Sequence, residues 1–491
     1  MVQTLAEGAG GNLRPTYAGI PCARERGGRN AITGRRAQKK TAARIQAEVA
    51  REIETLIAAA LRDRERDGSY DLEALERYTR EVMLECGAHV LAGLLELEDG
   101  RALGRACPCG GTFQDKKRQR KTVRTLVGNT RILHTHQQCT RCATWRSPED
   151  IVLDIVNTGF SPGLRRAMAE TGGEICFEKA AGFLDTLGGV RVGAKDVERV
   201  AEAIGKDILA RQEQSIRAVL EGQPPTSTQT PDTLYIAADG TGVPMRRKET
   251  QGRAGKHADG IARTREAKLG ALFTQATTDE KGNPVREAHS TTYVGKIESV
   301  DTFGPRLFAE ALRRGFEQAR RVGVLGDGAV WIWNLASEYF PNAVQIVDYC
   351  HAHEHLSGIG KLVFPDDEKA RKTWQKPFSD LLWDGDIPAL TMALREVPLQ
   401  GKSKEFLTTT IEYFNTNRER MRYRFFREQG LFIGSGVVEA GCRSLIGERL
   451  KCSGMHWSVP GADAIIALRC CLESNGFENY WEDRRPTTLA A

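Results

Sequence analysis

The sequence predicts a multidomain protein of the α+β or α/β class, and three observations lead to this prediction. The chain has 491 residues, a length that corresponds to about three domains of ordinary size. Apolar residues make up 40% of it and charged residues 27%, which is typical of a globular protein and excludes a collagen-like or fully disordered chain. Residues 41–222 carry mainly helical patterns, whereas residues 233–475 alternate apolar strand-like runs with helical ones.

The composition also limits where the protein is expected to act. No uncharged apolar run reaches the roughly 18 residues of a transmembrane helix, so we expect no membrane partner. No apolar segment follows the first basic residues, so we expect no secretory signal and a cytoplasmic location. In that reducing compartment the 12 cysteines are expected to be thiols or metal ligands rather than disulfides.

The N-terminal part divides into an arm and a hairpin. Residues 1–40 carry eight basic and two acidic residues, which equals the net charge of +6, and we predict a disordered basic arm there. Such an arm either holds a polyanion or is simply solvated. Residues 41–103 are predicted to form a helical hairpin, because Ile45, Val49 and Ile53 recur every four residues and Asp71 can cap a second helix.

Residues 104–148 contain two cysteine pairs that predict a zinc-ribbon-like DNA-binding module. A stretch of 29 residues separates the pair Cys107 and Cys109 from the pair Cys139 and Cys142, which leaves room for a β-hairpin between them. Four thiolates suit a tetrahedral structural Zn²⁺ and leave no open position for a catalytic water. Two alternatives are that His134 and His136 replace Cys107 and Cys109 as ligands, or that the four thiols are incidental.

A dense basic run lies between these cysteine pairs. No acidic residue interrupts the stretch from position 116 to position 131, and we expect it to bind DNA rather than to be only a solvated face. The predicted DNA-binding residues of the run are Lys116, Lys117, Arg118, Arg120, Lys121 and Arg124. Residues 149–222 are predicted to be helical, with two helices around Gly188-Gly189 that either form a helix-turn-helix for DNA binding or simply pack together.

Residues 223–232 form a linker rich in proline and threonine, and the region 233–475 follows it. This region predicts three strands, a helix, a strand, a helix and a strand, with a helical insertion at about 356–430 and a final helix. That order is typical of an RNase H-like fold. Residues 476–491 are predicted to be a C-terminal tail. The five predicted strands are Thr233–Ala238, Ala267–Thr277, Glu287–Val294, Arg321–Leu325 and Ala343–Val347.

Three carboxylates of this region are candidate metal ligands. Asp239 and Asp327 each follow a predicted strand and precede a glycine, which places them at the carboxyl edge of the sheet. Glu439 is expected at the start of a helix. Three hard oxygen ligands suit Mg²⁺ or Mn²⁺, and two such ions about 4 Å apart can activate a water or a 3′-hydroxyl for attack on a phosphodiester. The alternative is that each aspartate is an ordinary turn or helix cap.

Two further interpretations concern histidines and a tryptophan. If the stretch stays extended, His351, His353 and His355 lie on one face and predict a metallohydrolase centre, whereas a helix would bring only the first and third together. Trp457, behind Lys451, either stacks on a DNA base or packs in the core.

Five segments between about residues 100 and 475 resemble motifs of ISKra-type bacterial insertion-sequence transposases, which belong to the DDE superfamily and are related to Mutator-like transposases. In that family the first aspartate, the second aspartate and the glutamate form the metal-binding triad, and the matching positions are Asp239, Asp327 and Glu439. The family's support element beside the active site falls on Asp348 and His351. The short first cysteine pair departs from the family pattern. The segments are Ala238–Pro244, Gly326–Trp333, Ile346–Leu356, Gly434–Cys442 and Leu450–Ser458.

The resemblance implies metal-dependent DNA cleavage at the ends of an insertion sequence and strand transfer into target DNA. Its partners would be the terminal inverted repeats, the target DNA and further copies of the chain, because both ends must be held together. The protein would then be associated with the bacterial nucleoid. Two other functions stay open, namely an RNase H-like nuclease without strand transfer and a catalytically inactive DNA-binding protein derived from a transposase.

Overall fold

The computed structural model describes residues 42–67, 71–97, 104–255 and 259–484, so the predicted basic arm at 1–40 lies outside the described residues. The described part is a mixture of helices and two sheets, which confirms the α+β class. Within these ranges no helix combines the length and the apolar composition that crossing a membrane requires.

The first two helices form the predicted hairpin, with α1 at Ala42–Asp67 and α2 at Leu72–Leu97. The Asp71 side chain accepts a hydrogen bond from the Glu73 amide at 3.1 Å, so it caps α2 as expected. Ile45 on α1 packs against Gly93 on α2, where an added Cβ would stand 2.9 Å from the isoleucine side chain. The two helices therefore approach closely at this glycine.

The cysteine module is a three-stranded antiparallel sheet in the order β1-β2-β3. β1 spans Phe113–Thr125, β2 spans Gly128–Cys139 and β3 spans Trp145–Arg146. Alternation along β1 and β2 directs Val123 and Ile132 inward, where they form a small core with Ile155. This core is separate from the main one.

Four helices follow the module: α3 (Pro148–Val152), α4 (Pro162–Glu174), α5 (Phe177–Thr186) and α6 (Ala194–Leu220). The apolar side of α6, with Val197, Ala201 and Ile204, belongs to the main hydrophobic core, which it shares with the large sheet. Packing on that core therefore explains the apolar pattern of α6. This agrees with the interpretation that the helices of residues 149–222 simply pack together.

The large sheet has six strands in the order β6-β5-β4-β8-β9, and β7 also pairs with β5. β4 is antiparallel to β5 and parallel to β8, and β8 is parallel to β9. The predicted single strand at 287–294 is wrong, because a bend with His289 at φ 57° separates β6 from β7. The strands are β4 (Thr233–Pro244), β5 (Thr264–Thr278), β6 (Pro284–Arg286), β7 (Thr292–Lys296), β8 (Arg321–Gly326) and β9 (Val344–Val347).

Helices connect and cover these strands. The connecting helices are α7 (Arg247–Thr250), α8 (Val300–Arg313) and α9 (Val330–Tyr339). A helical insertion follows β9 and consists of α10 (Tyr349–Val363), α11 (Glu368–Asp384), α12 (Ile387–Arg395), α13 (Gly401–Asn417) and α14 (Tyr423–Glu428). Insertion helices were expected from about residue 356, and the structure begins them at Tyr349.

The C-terminal part returns to the sheet. α15 (Gly436–Gly441) continues as a π-helical turn over Cys442–Glu448, and α16 (Val459–Glu473) and α17 (Phe477–Arg484) follow. The sequence predicts a tail from residue 476, and for residues 477–484 this prediction is wrong. They form a helix instead, because Phe477, Tyr480 and Trp481 are buried in the main core.

Candidate functional site

Asp239 lies inside β4 rather than at its end, so the prediction that it ends a strand is wrong. β4 pairs with β8 up to Ala237, but its pairing with β5 continues to Pro244. Asp239 is therefore two residues beyond the last parallel pair, at the carboxyl end of the parallel part of the sheet. The backbone N–H of Gly240 donates to its Oδ1 at 2.6 Å.

Asp327 follows β8 directly, as predicted. Its Oδ1 accepts a hydrogen bond from the Ala329 amide at 2.9 Å, and its carbonyl oxygen accepts one from the Tyr413 hydroxyl at 2.9 Å. Gly328 between them has φ 102°, and an added Cβ would stand 2.5 Å from the Tyr413 ring. Two features require glycine here: the positive φ of the backbone, and the close approach of the Tyr413 ring, which belongs to the helical insertion.

Glu439 lies on α15, and glycine again permits the approach of this helix to the sheet. A Cβ on Gly441 would stand 2.8 Å from the Tyr293 ring and 3.0 Å from Leu269. The Ser435 hydroxyl donates to Glu439 Oε1 at 3.0 Å. Three residues after Glu439, the buried thiol of Cys442 lies near the Asp239 carboxylate and acts to lower its pKa. This proximity connects the segments of the first and third predicted ligands.

The carboxylates are close enough to influence one another. Burial raises the pKa of Asp239, the Gly240 amide and Cys442 oppose this, and the charges of Asp327 and Glu266 raise it further. Burial also raises the pKa of Glu439, together with the charges of Asp348 and Asp239. A divalent cation would offset this mutual repulsion and favour the charged carboxylates.

The geometry of this carboxylate site differs from that of a site for one ion. Within the described residues, one group of three or more possible ligands has all its donor atoms within 4.8 Å of one another. That group is the four ribbon cysteines. Asp239, Asp327 and Glu439 are therefore spread more widely.

Asp348 is buried and acts as a connector between backbone segments. It caps α10, where Oδ1 accepts a hydrogen bond from the His351 amide at 2.7 Å. Its Oδ2 accepts a second one from the Ser435 amide. Because Ser435 in turn holds Glu439, the predicted support role of Asp348 fits its contacts. His351 is half-buried, with Nδ1 3.9 Å from Glu354.

The three-histidine alternative required an extended stretch, but α10 begins at Tyr349 and includes all three histidines, as the helical interpretation expected. His353 contacts Ser379 at 3.1 Å and Gln375 at 3.2 Å on one side of the helix. The rings of His351 and His355 lie 5.1 Å apart on another side. Burial lowers the pKa of His355, and its ring stacks on Tyr413 with 4.2 Å between centroids.

Trp457 and Lys451 have different environments. Trp457 is 8% exposed, its indole N–H donates to the Leu450 carbonyl at 2.9 Å, and its ring lies 6.1 Å from that of Phe177. Of the two interpretations of Trp457, these contacts favour packing in the core. Lys451 is exposed, and its ammonium donates to the Thr241 hydroxyl at 2.6 Å, two residues after Asp239. A cation at this position borders the carboxylate site.

The four ribbon cysteines come together as predicted. Sγ of Cys107 lies 3.7 Å from that of Cys142, and Sγ of Cys109 lies 3.5 Å from that of Cys139. Tetrahedral Zn–S bonds of 2.3 Å place sulfurs about 3.8 Å apart, so the four could together hold a zinc ion. Hydrogen bonds from Thr144 lower the pKa of the Cys142 thiol to about 6, which favours the thiolate that zinc binds.

The histidine alternative for this site does not fit. His134 and His136 both point their Nε2 atoms at the side-chain amide of Gln119, at 3.0 and 2.8 Å. The short Cys107-Pro-Cys109 pair closes around Gly111, where an added Cβ would stand 2.7 Å from the Cys139 sulfur. Both cysteines of the short pair therefore reach the cluster without help from a histidine.

The basic run of β1 is exposed at five of its six predicted DNA-binding positions. The exception is Lys121, whose ammonium bonds to Asp150 Oδ2 at 2.7 Å and to the Ile155 carbonyl at 2.7 Å. Its ammonium holds the following loop against the sheet, so Lys121 differs from the other predicted DNA contacts in having internal partners. The exposed residues are Lys116, Lys117, Arg118, Arg120 and Arg124.

Comparison with known proteins adds one relative. The chain matches no protein-family model. It is similar to a protein of Streptococcus gallolyticus described as the UPF0236 protein in the vanSb 3'region, with 24% identity over 342 residues. The alignment covers 67% of this chain and 67% of that protein. The description of that protein states no reaction and no substrate, so the similarity brings no activity to this chain.

Proposed function

We propose that the protein is a DDE-type transposase of the ISKra kind, which cleaves DNA at insertion-sequence ends and joins them to target DNA. One observation carries this proposal. Asp239 and Asp327 follow the last parallel pair of the neighbouring strands β4 and β8, and Cys442, three residues after Glu439, lies near Asp239. These contacts support a site at the carboxyl end of the parallel strands to which three distant parts of the chain would each contribute a carboxylate.

The sheet supports an RNase H-like assignment for this region. Without the short β6, the strands of the large sheet along the chain are β4, β5, β7, β8 and β9. Across the sheet they lie in the order β7-β5-β4-β8-β9, which is third, second, first, fourth and fifth in chain order. The first three are antiparallel, and the fourth and fifth run parallel to the first. This arrangement is typical of RNase H-like domains, whose carboxylates hold Mg²⁺ or Mn²⁺ at the same edge.

The chain's own residues would have distinct tasks in the reaction. Asp239, Asp327 and Glu439 would hold the ions, which supply Lewis-acid activation of the attacking and leaving oxygens of the phosphodiester. Lys451 beside Thr241 would contact a DNA phosphate near this edge. The exposed basic residues of β1 would hold DNA through its phosphates, and the zinc ribbon would keep their strand in place.

A strand-transfer assay tests the proposal. The purified protein is incubated with duplexes that carry the sequences flanking its gene, a supercoiled plasmid and Mg²⁺ or Mn²⁺. We expect joined products with the wild type, and their loss with Glu439→Gln but not with the surface variant Glu368→Gln. Breaks without joining would indicate the nuclease, and DNA binding without chemistry would indicate an inactive transposase-derived protein.

The same proposal requires a homo-oligomer on DNA. Strand transfer of two ends to one target needs two catalytic sites in one assembly. Light scattering of the protein with and without end duplexes measures this assembly. A mass that stays that of one chain per duplex under conditions that give joined products would contradict it.

A further inference from the structure

β4 and β5 continue past the rest of the large sheet as a two-stranded arm. β4 pairs with β8 only up to Ala237, and the pairing of β5 with β7 begins only at Lys268. Among the strands that the structure describes, only β4 and β5 pair beyond these points, and the arm comprises residues 240–244 and 264–267. It starts directly after Asp239, so its base lies next to the predicted carboxylate site.

One face of this arm is the face that carries the Asp239 side chain. Side chains alternate along a strand, so Asp239, Thr241 and Val243 share a face, and the residues opposite them in the antiparallel pair share it too. Thr241 stands opposite Ala267, and Val243 stands opposite Arg265. Arg265 therefore lies on the same face of the strand pair as Asp239.

A second cation reaches this face from the C-terminal part of the chain. Lys451 is exposed, and its ammonium donates to the Thr241 hydroxyl at 2.6 Å. Burial and the charge of Asp239 raise the pKa of the Cys442 thiol, and the charge of Lys451 opposes this rise, which agrees with a position near both groups. Thr241 and Arg265 are diagonal neighbours in the strand pair, about 7–8 Å apart, a separation that long side chains span.

The segment that carries Lys451 is fixed to the arm. The Trp457 amide donates to the Pro244 carbonyl at 3.1 Å, and the Arg246 amide donates to the Trp457 carbonyl at 2.9 Å. The Trp457 indole N–H donates to the Leu450 carbonyl, directly before Lys451. These contacts hold the loop against the arm and leave the charge of Lys451 available for a ligand.

Neither cation has a carboxylate partner within the described residues. Arg265 is half-buried, and in those ranges its guanidinium has no hydrogen bond or ion pair. The partner of Lys451 is the neutral Thr241 hydroxyl. Glu266, the acidic residue of the arm, lies on the opposite face, where buried Lys268 pairs with it at 2.8 Å. Since a partly buried charge without a counter-ion is unfavourable, the pair is suited to receive an anion.

We propose that Arg265 and Lys451 together bind a phosphate of DNA beside Asp239. The inference rests on the proposed function, since DNA is the anion on which the carboxylate site would act. A guanidinium binds phosphate through two parallel N–H donors, and an ammonium adds a compact positive charge. A strand held there would lie alongside the predicted metal ligands. Exposed cations that directly follow β4 would continue this positive surface, namely Arg246, Arg247 and Lys248.

DNA binding by the full-length protein tests this inference and requires no catalysis. Fluorescence anisotropy with a labelled duplex is measured in EDTA at several salt concentrations. We expect Arg265→Gln and Lys451→Gln each to lower the salt slope of binding by about 1, the contribution of one phosphate contact. Arg265→Lys keeps the charge and should keep the slope.

Two control variants remove cations elsewhere on the surface. Arg199→Gln removes an exposed partner of Asp196 on α6, and Lys372→Gln removes an exposed partner of Glu368 on α11. Both should bind DNA with the slope of the wild type. Urea unfolding of every variant separates a change in DNA binding from loss of the fold.

Asp239→Asn locates the phosphate relative to the carboxylate site. Without metal, the charge of Asp239 repels a phosphate that is held beside it, so the asparagine should tighten DNA binding in the wild-type background. The gain should shrink in the double variant Arg265→Gln/Lys451→Gln, because the phosphate is no longer held there. An equal gain in both backgrounds would overturn the proposed position of the phosphate.

Failure of this inference and failure of the proposed function give different results. If the wild type joins DNA while Arg265→Gln and Lys451→Gln keep the wild-type slope, the phosphate site is overturned and the transposase stands. If the slopes fall as expected but the wild type neither cuts nor joins DNA, the phosphate site stands and the proposed activity is overturned. A wild type that binds no DNA overturns both.

Discussion

Oδ2 of Asp348 accepts a hydrogen bond from the backbone amide of Ser435, although 87 residues separate the two along the chain. The contact joins the start of the helical insertion to the start of α15. The Ser435 hydroxyl donates a hydrogen bond to Glu439. The buried carboxylate of Asp348 therefore helps to set the position of the exposed carboxylate of Glu439. The position of Glu439 therefore depends on the insertion helices as well as on its own segment.

Asp348→Asn tests this connection. Asparagine keeps one accepting oxygen, so one buried amide loses its partner, and we expect a loss of about 2 kcal/mol in the free energy of unfolding. Mn²⁺ binding should weaken as well. Asp367→Asn is the control, since Asp367 caps α11 at the surface by accepting from the Ala370 amide at 2.9 Å, and asparagine caps equally well. Urea unfolding and Mn²⁺ titration measure both effects, and a stable variant with normal binding would contradict the connection.

Cys109→Ser tests the short cysteine pair. With four thiolate ligands, the wild type should carry about one zinc ion per chain, and the variant should lose most of it. The ribbon should also unfold at lower temperature, because zinc binding contributes directly to the folding of such modules. Elemental analysis after gel filtration measures the zinc. Cys452→Ser changes an exposed cysteine outside the cluster and should retain it, whereas equal zinc in both variants would show that Cys109 is no ligand.

Arg120→Ala and Lys121→Met should differ although the residues are neighbours. Arg120 is exposed, so its loss should weaken DNA binding on all sequences and lower the salt slope of binding by about 1. Lys121→Met leaves Asp150 without its cation, so we expect about 3 kcal/mol of lost stability. Fluorescence anisotropy at several salt concentrations, together with urea unfolding, measures the two effects. A reversed pattern would mean that Lys121 faces DNA.

Trp457→Phe separates packing from DNA contact. The indole N–H that donates to Leu450 is removed, and we expect a loss of about 1–2 kcal/mol in the free energy of unfolding. DNA affinity of the folded variant should stay unchanged, because the ring is covered by Phe177 and Arg449. Reduced affinity for single-stranded DNA at unchanged stability would instead support a stacking role.

Asp463 provides a pH-dependent test. Burial raises the pKa of this carboxyl to about 6, although the Ile297 amide donates to it at 2.9 Å. A raised pKa means that the folded state binds the proton more tightly, so the stabilisation is complete below about pH 4 and is lost as the pH rises through 6. Asp463→Asn should therefore reduce the loss of stability between pH 4 and pH 7 by about 2 kcal/mol. An identical pH profile in urea unfolding would contradict the assignment.

Local patterns were enough to predict several parts of the molecule. The hairpin of α1 and α2 follows from apolar residues at helical spacing, and its second helix from the Asp71 cap. The cysteine spacing predicted a cluster that the fold does form. The strand that leads to Asp327 was also predicted within one residue. Each of these depends on residues that are close in sequence, or on a ligand type that only a few side chains provide.

Side-chain environments made by distant segments could not be predicted. The sequence shows six similar cations in one run, but Asp150 and Ile155 withdraw Lys121 from the surface. Trp457 and a DNA-stacking tryptophan have the same sequence pattern, and burial against Phe177 decides between them. The hydrogen bond from the Tyr413 hydroxyl to the Asp327 carbonyl likewise joins separate segments.

The sequence by itself determined the α+β class, most of the elements and the residue types available for metal ligation. The tertiary structure alone decided that β4 continues past Asp239, because β5 supplies hydrogen-bond partners after β8 has ended. It also decided which cations of the basic run remain exposed. The physical reason is that periodicity and capping act over a few residues, whereas burial and electrostatic interaction depend on which segments the fold brings together.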